Sequence, residues 1–208
     1  MKTNEEVWSI VNELKALYPD SLCSLEYEKD YELLFSVRLA AQCTDERVNK
    51  VTPALFARFS TLESLAEADV AEVEQYIHST GFFRAKARDI VLASQMLLRD
   101  YGGKVPGTME ELLKLPGVGR KTANLMLGDV FHVPGVVVAD THCIRITGLL
   151  GLTDGSKDPA KVEMQLRQVL PPEESNDFCH RMVLHGRAVC IARRPQCESC
   201  TLRPWCDH

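Results

Sequence analysis

The sequence lacks long apolar runs, and no stretch approaches the roughly 20 apolar residues that a membrane-spanning helix requires. Residues 1–6, Met-Lys-Thr-Asn-Glu-Glu, contain no apolar segment of the kind that begins a secretory signal. Hydrophobic residues nevertheless make up 45% of the 208 residues, which is enough for a buried core. We therefore expect a soluble cytoplasmic protein with no signal peptide and no membrane partner.

Sequence typical of β-strands is nearly absent as well. Only residues 136–138, three consecutive valines, resemble a strand, and so short and isolated a segment does not build a sheet. Elsewhere apolar residues recur at helical spacing, and residues that cap helices precede many of these segments. No internal repeat or low-complexity linker is present. The sequence therefore predicts an all-α protein.

The predicted helices begin at recognisable caps. Thr3 and Glu6 form a capping box, Asp140 is an N-cap, and Pro159 is suited to a first helical position. Pro53 is predicted to lie near the start of a separate short helix. Other predicted helices run over about 30–41, 45–51, 54–59, 84–101, 108–115, 120–131 and 176–189, with short ones opened by Thr61 and Asp69.

The chain has little positive charge to offer a nucleic acid. Its formal net charge is −5, which argues weakly against such a partner. The charge is uneven, however, and the C-terminal region is basic. Binding to a nucleic acid depends on such a local patch and not on the net charge. There the single acid Glu198 stands among arginines, namely Arg181, Arg187, Arg193, Arg194 and Arg203. DNA therefore stays among the candidate partners.

Cysteine is plentiful, with eight residues, and without a secretory signal the sequence favours metal or redox chemistry over disulfides. Cys190, Cys197, Cys200 and Cys206 follow the spacing C-x6-C-x2-C-x5-C. Four thiolates so close in sequence suit zinc or an iron–sulfur cluster. The single C-x2-C knuckle and the wider, uneven loops favour a [4Fe-4S] cluster, with zinc as the alternative.

The predicted cluster has a structural role by default. It can fold its loop and present Arg193, Arg194 and Arg203 to phosphates. The other cysteines are scattered and are predicted to be small buried hydrophobic residues: Cys23, Cys43, Cys143 and Cys179.

Residues 115–124, Leu-Pro-Gly-Val-Gly-Arg-Lys-Thr-Ala-Asn, form a glycine turn that leads directly into a predicted helix. Gly117 and Gly119 lack a Cβ, so the backbone there can approach another molecule closely. The start of the helix offers unpaired N–H groups and a partial positive charge, which favour a phosphate. Lys121 lies in the first turn, where the helix end and Arg120 disfavour the ammonium form. These conditions favour a neutral, nucleophilic lysine.

Two other interpretations of this segment were open. A glycine turn before a helix is about as often a plain helix–turn–helix corner with a surface lysine as it is a functional site. A nucleotide-binding P-loop fails, because Arg120 separates Gly119 from Lys121 and no predicted strand precedes the turn. The preceding segment instead resembles a helix capped by Thr108 with Glu111. The unit is therefore predicted to be helix, glycine hairpin, helix.

The glycine hairpin with Lys121, the later Asp140-Thr141-His142 and the four-cysteine tail together resemble the endonuclease III family. This family comprises bifunctional DNA glycosylases of the helix–hairpin–helix superfamily that carry a [4Fe-4S] cluster. The resemblance extends from about residue 33 to residue 206. Three further segments fall in the expected order: 41–45, 81–87 and 184–187.

The resemblance implies two helical subdomains flanking a DNA-binding cleft that holds the active site. Residues 25–135 would form a six-helix barrel containing the helix–hairpin–helix motif at 108–131. Residues 1–24 and 136–208 would form the other subdomain, with the cluster loop at 190–206.

The resemblance also assigns roles to individual residues. Lys121 would be the nucleophile and Asp140 the catalytic carboxylate, a role compatible with an N-cap. Gln42 would fill the gap left by a flipped nucleotide, and Phe82 falls where the family often has a leucine wedge, although an aromatic near a turn is usually a core residue. The four cysteines of the tail would ligate the cluster. Further DNA contacts are expected from Asp45, Leu115, Gly117, Val118, Gly119, Arg120, His142, Arg187, Arg193 and Arg194.

The family's reaction is base excision repair. Its members remove oxidised or ring-saturated pyrimidines such as thymine glycol and cut the abasic site on its 3′ side by β-elimination through a lysine Schiff base. The expected partner is double-stranded DNA containing a damaged pyrimidine or an abasic site. We expect a monomer in the cytoplasm, associated with the nucleoid.

Two alternatives remain at this point. A monofunctional mismatch glycosylase shares the fold but usually lacks the lysine, and the adenine-specific type carries a further C-terminal domain, whereas this sequence stops two residues after Cys206. A non-enzymatic iron–sulfur protein that binds DNA and senses redox state would use the hairpin and arginines alone. The pairing of Lys121 with Asp140 favours the bifunctional enzyme.

Overall fold

The computed structural model describes residues 2–21 and 23–208, and every regular element within them is helical. The all-α prediction is therefore confirmed. In chain order the α-helices are α1 Asn4–Leu17, α2 Asp30–Ala40, α3 Asp45–Arg58, α4 Leu62–Ala66, α5 Val70–Ile77, α6 Phe83–Tyr101, α7 Met109–Leu112, α8 Arg120–Asp129, α9 Thr141–Leu149, α10 Pro159–Val169 and α11 Ser175–Ala188. Short 3-10 turns occur at His78–Thr80, Cys197–Ser199 and Arg203–Trp205. In the part of the chain so described, no helix is long and apolar enough to cross a membrane.

The chain divides into two compact units. The first contains Met1–Cys23 and His132–His208, and the second contains Ser24–Phe131. In the first unit α1 and α9 both pack against α11, and apolar side chains of α1 such as Ile10 and Leu14 are fully buried. In the second unit α6 is the central helix, because α2, α4 and α5 all pack against it. Its buried stripe includes Ile90 and Leu97.

The predicted caps lie where the helices begin. The Thr3 side chain accepts from the Glu6 N–H, and the Glu6 carboxylate accepts from the Thr3 N–H, as a capping box requires. Asp140 accepts from the Cys143 N–H at 2.7 Å, and Asp158 accepts from the Ala160 N–H at 2.9 Å. Each of these bonds satisfies an N–H group that the helix itself leaves without a partner.

The prediction at Pro53 is wrong, because α3 runs without a break from Asp45 to Arg58 with the proline inside it. A proline in a helix interior removes one backbone hydrogen bond and costs about 3 kcal/mol. Val48, Thr52 and Leu55 are nevertheless almost completely buried on one face of α3. Their continuous burial on both sides of the proline outweighs that local cost.

The helix predicted over 108–115 is also too long. Thr108 caps it as expected, but α7 ends at Leu112 and the Leu115 N–H closes a tighter turn to the Leu112 carbonyl at 3.1 Å. Pro116 explains the difference, because it disfavours helical backbone at the residue before it. The chain therefore leaves the helix early and enters the glycine hairpin as a series of turns.

The arginine-rich C-terminal region is less available than its sequence suggests. The Arg181 side chain is only 3% exposed, and it binds Glu174 at 3.0 Å and Asp177 at 3.2 Å. Lys15 also contacts Glu174, and the bonds from Lys15 and Arg181 hold the pKa of that carboxyl below its usual value despite its partial burial. Arg181 thus stabilises the first unit, whereas Arg187, Arg193, Arg194 and Arg203 are exposed.

Candidate active site and cysteine-lined pocket

The glycine hairpin connects α7 to α8, and Leu115 anchors it. Leu115 is 2% exposed, and its carbonyl accepts from the Val118 N–H at 3.2 Å. Gly119 then precedes α8 in extended backbone, and no side chain in the part of the molecule described here caps the first turn through that residue. Lys121 is the second residue of α8 and its side chain is exposed. An exposed lysine thus lies at the start of a helix whose N-cap residue is a glycine.

The amide groups of the hairpin are not equivalent. The N–H groups of Leu115 and Val118 donate to the carbonyls of Leu112 and Leu115. A phosphate at this position would therefore be bound mainly by Gly117, Gly119 and the first residues of α8. Whether any of these residues contacts DNA stays a prediction.

Gly117 lies against an ion pair that the sequence does not suggest. Arg38 of α2 and Asp89 of α6 are joined by contacts of 2.8 and 2.9 Å, and both side chains are largely buried. A Cβ at residue 117 would lie 2.6 Å from Arg38 Nε and 2.8 Å from Asp89 Oδ2. Gly117 also has a φ of +74°, in the left-handed region that favours glycine. The Arg38–Asp89 ion pair therefore packs directly against the hairpin at Gly117.

Two further turns of the second unit present Gln42, to which the family resemblance assigns the flipped-nucleotide gap, and Phe82, to which it assigns the wedge. Gln42 has a φ of 56° and Phe82 a φ of 46°, which is uncommon for residues other than glycine. Gln42 is exposed, and Phe82 is 70% exposed. Phe83, in contrast, packs against the His78 ring at 4.5 Å. Phe82 is therefore not a core residue, and its aromatic ring is available to another molecule.

Asp45, another residue expected near DNA, begins α3 close to the Gln42 turn. Its Oδ2 accepts a hydrogen bond from Ser24 Oγ at 2.5 Å. The side chain is half-buried. This bond fixes Asp45 toward the start of the second unit.

In the first unit, Asp140 is the half-buried N-cap of α9, and its Oδ1 accepts from the Cys143 N–H. His142 follows in the first turn, and its ring lies so close to Gly186 that a Cβ there would overlap the imidazole. Arg187, the next residue of α11, is exposed. The two motifs Asp140-Thr141-His142 and Leu184-His185-Gly186-Arg187 thus pack directly on each other.

The four cysteines of the tail line a single pocket that is partly open to solvent. All four are half-buried, and none forms a disulfide. Burial raises the pKa of the Cys200 thiol, the Leu202 backbone lowers it, and the three neighbouring cysteines raise it further. The neighbouring sulfurs therefore disfavour ionisation of Cys200, which is the situation that a bound cationic centre relieves.

No three histidine, cysteine or carboxylate groups within residues 2–21 and 23–208 are arranged to hold one metal ion. The four cysteines line the pocket together with Leu149, Val189 and Arg203. Arg193 and Arg194 lie exposed in the loop between the first and second cysteines.

Hydrogen bonds around the pocket tie it to the rest of the first unit. Arg145 Nη1 donates to Cys190 Sγ at 3.1 Å and Nη2 to the Cys190 carbonyl at 2.6 Å. His185 Nε2 lies 3.5 Å from Cys200 Sγ, and its Nδ1 lies 3.2 Å from the Tyr18 hydroxyl. Arg145 belongs to α9, the helix that begins after Asp140. The cysteine loop is thus bound to the helix that Asp140 caps.

Several of these contacts went unpredicted. Arg145, His185 and the Arg38–Asp89 pair carry no spacing signal, because their partners are distant in sequence. Lys86, whose buried ammonium group donates to the carbonyls of Leu39 and Thr80, was detectable in part, since it interrupts the apolar stripe of α6 one turn before Ile90. Of the scattered cysteines, Cys143 and Cys179 are buried as predicted. Cys23 and Cys43 are only half-buried, which corrects the prediction and follows from their positions in loops.

Comparison with known proteins gives a consistent result. Residues 35–172 match the HhH-GPD superfamily of base excision DNA repair proteins. The chain is 48% identical to endonuclease III of Synechocystis sp. over 193 residues, which cover 93% of this chain and 88% of the relative. It also matches a non-covalent endonuclease III–DNA complex, with a TM-score of 0.92 and 41% identity over 99% of this chain and 96% of that one. A trapped covalent intermediate of endonuclease III with DNA, an estranged-adenine complex, matches with the same values.

The contact beneath the hairpin leads to a stability prediction. A Gly117→Ala change should destabilise the protein by about 1–2 kcal/mol through the left-handed backbone alone, and by more because the methyl group must displace Arg38. Gly102→Ala is the matched control, because Gly102 has a φ of +59° but nothing within 4 Å of the added Cβ. Chemical denaturation of both variants measures the difference.

Adding Arg38→Ala separates the two effects. In that background the extra cost of Gly117→Ala over Gly102→Ala should shrink, because Arg38 no longer obstructs the methyl group and only the Asp89 carboxylate remains close to it. Equal losses for the two glycine variants in the native background would contradict a supporting role for the ion pair.

Proposed function

Because the chain belongs to the HhH-GPD superfamily of base excision DNA repair proteins, we propose that it acts as endonuclease III does, as a bifunctional DNA glycosylase and abasic-site lyase. The observation that carries this proposal is the exposed Lys121 at the start of α8, directly after a glycine hairpin. A lysine there can act as a nucleophile toward a sugar whose flanking phosphates lie on the helix start. The proposed substrates are oxidised or ring-saturated pyrimidines in double-stranded DNA, and abasic sites.

The proposed reaction requires a neutral amine at Lys121. The Nζ atom attacks C1′ of the damaged nucleotide, the N-glycosidic bond breaks, and the base leaves with its electron pair and takes up a proton. Loss of the remaining amine proton and opening of the sugar give a Schiff base between Nζ and C1′. Removal of a C2′ proton then expels the 3′ phosphate by β-elimination, and water releases the lysine.

Asp140 supplies the negative charge in this proposal. A carboxylate stabilises the positive charge that develops on the sugar as the base departs. The observed cap bond uses Oδ1 and holds the side chain in one orientation. Such a fixed orientation supports electrostatic catalysis, since the group does not have to reorganise during the reaction.

The remaining contacts position the DNA. We assign phosphate binding to Gly117, Gly119 and Arg120, with Leu115 and Val118 shaping the turn that presents them. In the first unit, His142, Arg187, Arg193 and Arg194 supply side chains for the backbone or the lesion. In the second, Asp45 adjoins the Gln42 turn.

Phe82 and Gln42 would replace the base that leaves the stack. Extruding a nucleotide costs a few kcal/mol, least when the base is damaged. The exposed ring of Phe82 can stack where the extruded base was, and the amide of Gln42 can bond the unpaired partner base. Their exposure and their unusual backbone conformations support this assignment.

The cysteine-lined pocket fits a [4Fe-4S] cluster, with Cys190, Cys197, Cys200 and Cys206 as its ligands. This assignment is supported by the free thiols, by the pocket that they line, by the Arg145 donor to Cys190 and by the contact of His185 with Cys200. Such a cluster would supply structural cross-linking of the loop. It is not assigned a step in base removal.

The wider organisation follows from the family. We propose that Ser24–Phe131 is the barrel subdomain with the helix–hairpin–helix motif, and that the other unit is the cluster-bearing subdomain. We propose a monomer, because a lesion on one strand offers no two-fold symmetry to match. A repair activity on the chromosome implies a nucleoid-associated, cytoplasmic location.

The nucleophile is tested with a duplex that contains one thymine glycol, in the presence of borohydride to reduce a Schiff base. The wild-type protein should form a covalent adduct, and Lys121→Ala should lower adduct formation and strand cutting at least about a thousandfold, since the covalent step is lost. Lys114→Ala is the control, because Lys114 is an exposed lysine nearby whose partner is Glu110. It should keep both activities.

The outcome also separates the alternative functions. Base release that leaves an intact abasic strand, with no adduct, would assign the protein to the monofunctional glycosylases. DNA binding without base release or adduct would favour the non-enzymatic interpretation. Unchanged cutting by Lys121→Ala would contradict the assignment of the nucleophile.

The cluster is tested by composition. Anaerobically purified wild-type protein should contain about four iron atoms per chain, with the broad visible absorption of an iron–sulfur centre. Cys200→Ser should lose iron and lower the thermal stability, whereas Cys23→Ser should keep both. Zinc at one atom per chain, with no iron, would show that the pocket holds a single ion.

A further inference from the structure

Lys86 is a charged residue in the core of the second unit. It is 0% exposed and lies on the buried face of α6 among apolar residues. A buried ammonium group is costly unless its donors are satisfied. Here Nζ donates to the carbonyl of Leu39 at 2.8 Å and to the carbonyl of Thr80 at 2.7 Å. The pKa of Lys86 is lowered mainly by burial and also by Arg38, while Cys43 raises it.

Both carbonyls lie at the ends of helices. Leu39 is in the last turn of α2, and the Cys43 N–H, which a continuing helix would direct to it, bonds to the Ala40 carbonyl instead. Thr80 ends the 3-10 turn His78–Thr80. Carbonyls at helix C-termini lack intrahelical partners and carry partial negative charge, which favours a cation. One ammonium group thus satisfies two helix ends.

The two helix ends lead directly into the two exposed turns. Gln42 follows Leu39 by three residues, and Phe82 follows Thr80 by two. Both have positive φ, and such conformations persist only where the surroundings hold them. The Lys86 N–H also donates to the Phe82 carbonyl at 3.2 Å, which fixes the start of α6 to the same turn.

We propose that Lys86 is a positioning residue that holds the Gln42 turn and the Phe82 turn at a fixed separation, so that both side chains enter the duplex as one rigid unit. This inference rests on the proposed function, because it concerns the step in which a nucleotide leaves the stack. Lys86 touches neither the sugar nor the base. It acts through the two carbonyls that it joins.

The test compares Lys86→Met with the wild type. Methionine keeps most of the side-chain volume but cannot donate, so the two carbonyls lose their shared partner. Ser94→Ala is the matched control, because Ser94 is equally buried on α6 and its Oγ donates only to the Ile90 carbonyl, within that helix. Circular dichroism and thermal unfolding establish that each variant is folded.

Two substrates separate positioning from chemistry. In one, thymine glycol is paired in a continuous duplex, and in the other it lies among unpaired bases between duplex arms. For Lys86→Met, single-turnover base release from the paired substrate should fall about tenfold to a hundredfold, the effect of misplacing reacting groups by about 1 Å. Release from the unpaired substrate should change less than about threefold, since little stacking has to be broken. Ser94→Ala should match the wild type on both.

A double variant identifies the route of the effect. If Lys86 acts through the Phe82 turn, the double variant Phe82→Ala/Lys86→Met should be as active on the paired substrate as the less active of the two single variants. Fully multiplicative losses would overturn the proposal. Equal losses by Lys86→Met on the paired and unpaired substrates would overturn it as well, because they indicate a general defect.

A measurement on the unaltered protein covers the case in which Lys86→Met does not fold. Hydrogen exchange of the Cys43 and Lys86 amides, which close the two turns, should report one shared opening with protection factors within about threefold. Protection factors that differ by more than about tenfold would show that the turns open separately, which would contradict the proposal that Lys86 holds them together. Failure of the proposed function can be told apart from failure of the Lys86 proposal. If the protein is not a glycosylase, the wild type releases no base, although the two amides still share one opening.

Discussion

A helix leaves polar backbone groups without partners at both of its ends, and the candidate site of this protein is built from the ways in which that constraint is met. Side chains of Thr3, Thr108 and Asp140 cap the helices that they precede. The N-cap of α8 is Gly119, which has no side chain, and we assign the N–H groups at this helix start to a phosphate. Two helix C-termini share the buried ammonium of Lys86. Lys121, Asp140, Gln42 and Phe82 all lie at or next to these ends.

The same constraint explains how a chain with a net charge of −5 can bind DNA. Backbone N–H groups and a helix dipole attract phosphate without requiring a formal positive charge. Arg181 and Lys86 are used inside the protein, where each compensates carboxylate or carbonyl groups. The exposed arginines of the cysteine loop add a local basic surface. The average charge of the molecule is therefore a poor guide to the charge of its binding surface.

Local features of the fold were predictable from the sequence, because capping residues and glycine turns act over three or four residues. The hairpin between two helices, the cap at Asp140, the helix that begins at Pro159 and the end of the helix predicted over 84–101 are all confirmed. Pro53 misled the prediction, since the burial that keeps α3 intact comes from other helices. The contacts that hold the site in place could not be predicted from the sequence, because they too join residues that are distant along the chain. Lys86 bonds to a carbonyl 47 residues away, and Arg38 pairs with Asp89 at a separation of 51 residues.

The central claim is that Lys121 forms the covalent bond to the damaged nucleotide. Peptide mapping tests it most directly: the adduct reduced by borohydride is digested, and mass spectrometry identifies the residue that carries the sugar remnant. We expect the remnant on Lys121, within the peptide that begins α8. A remnant on Lys114, on another lysine or on the terminal amine would contradict the account of this site.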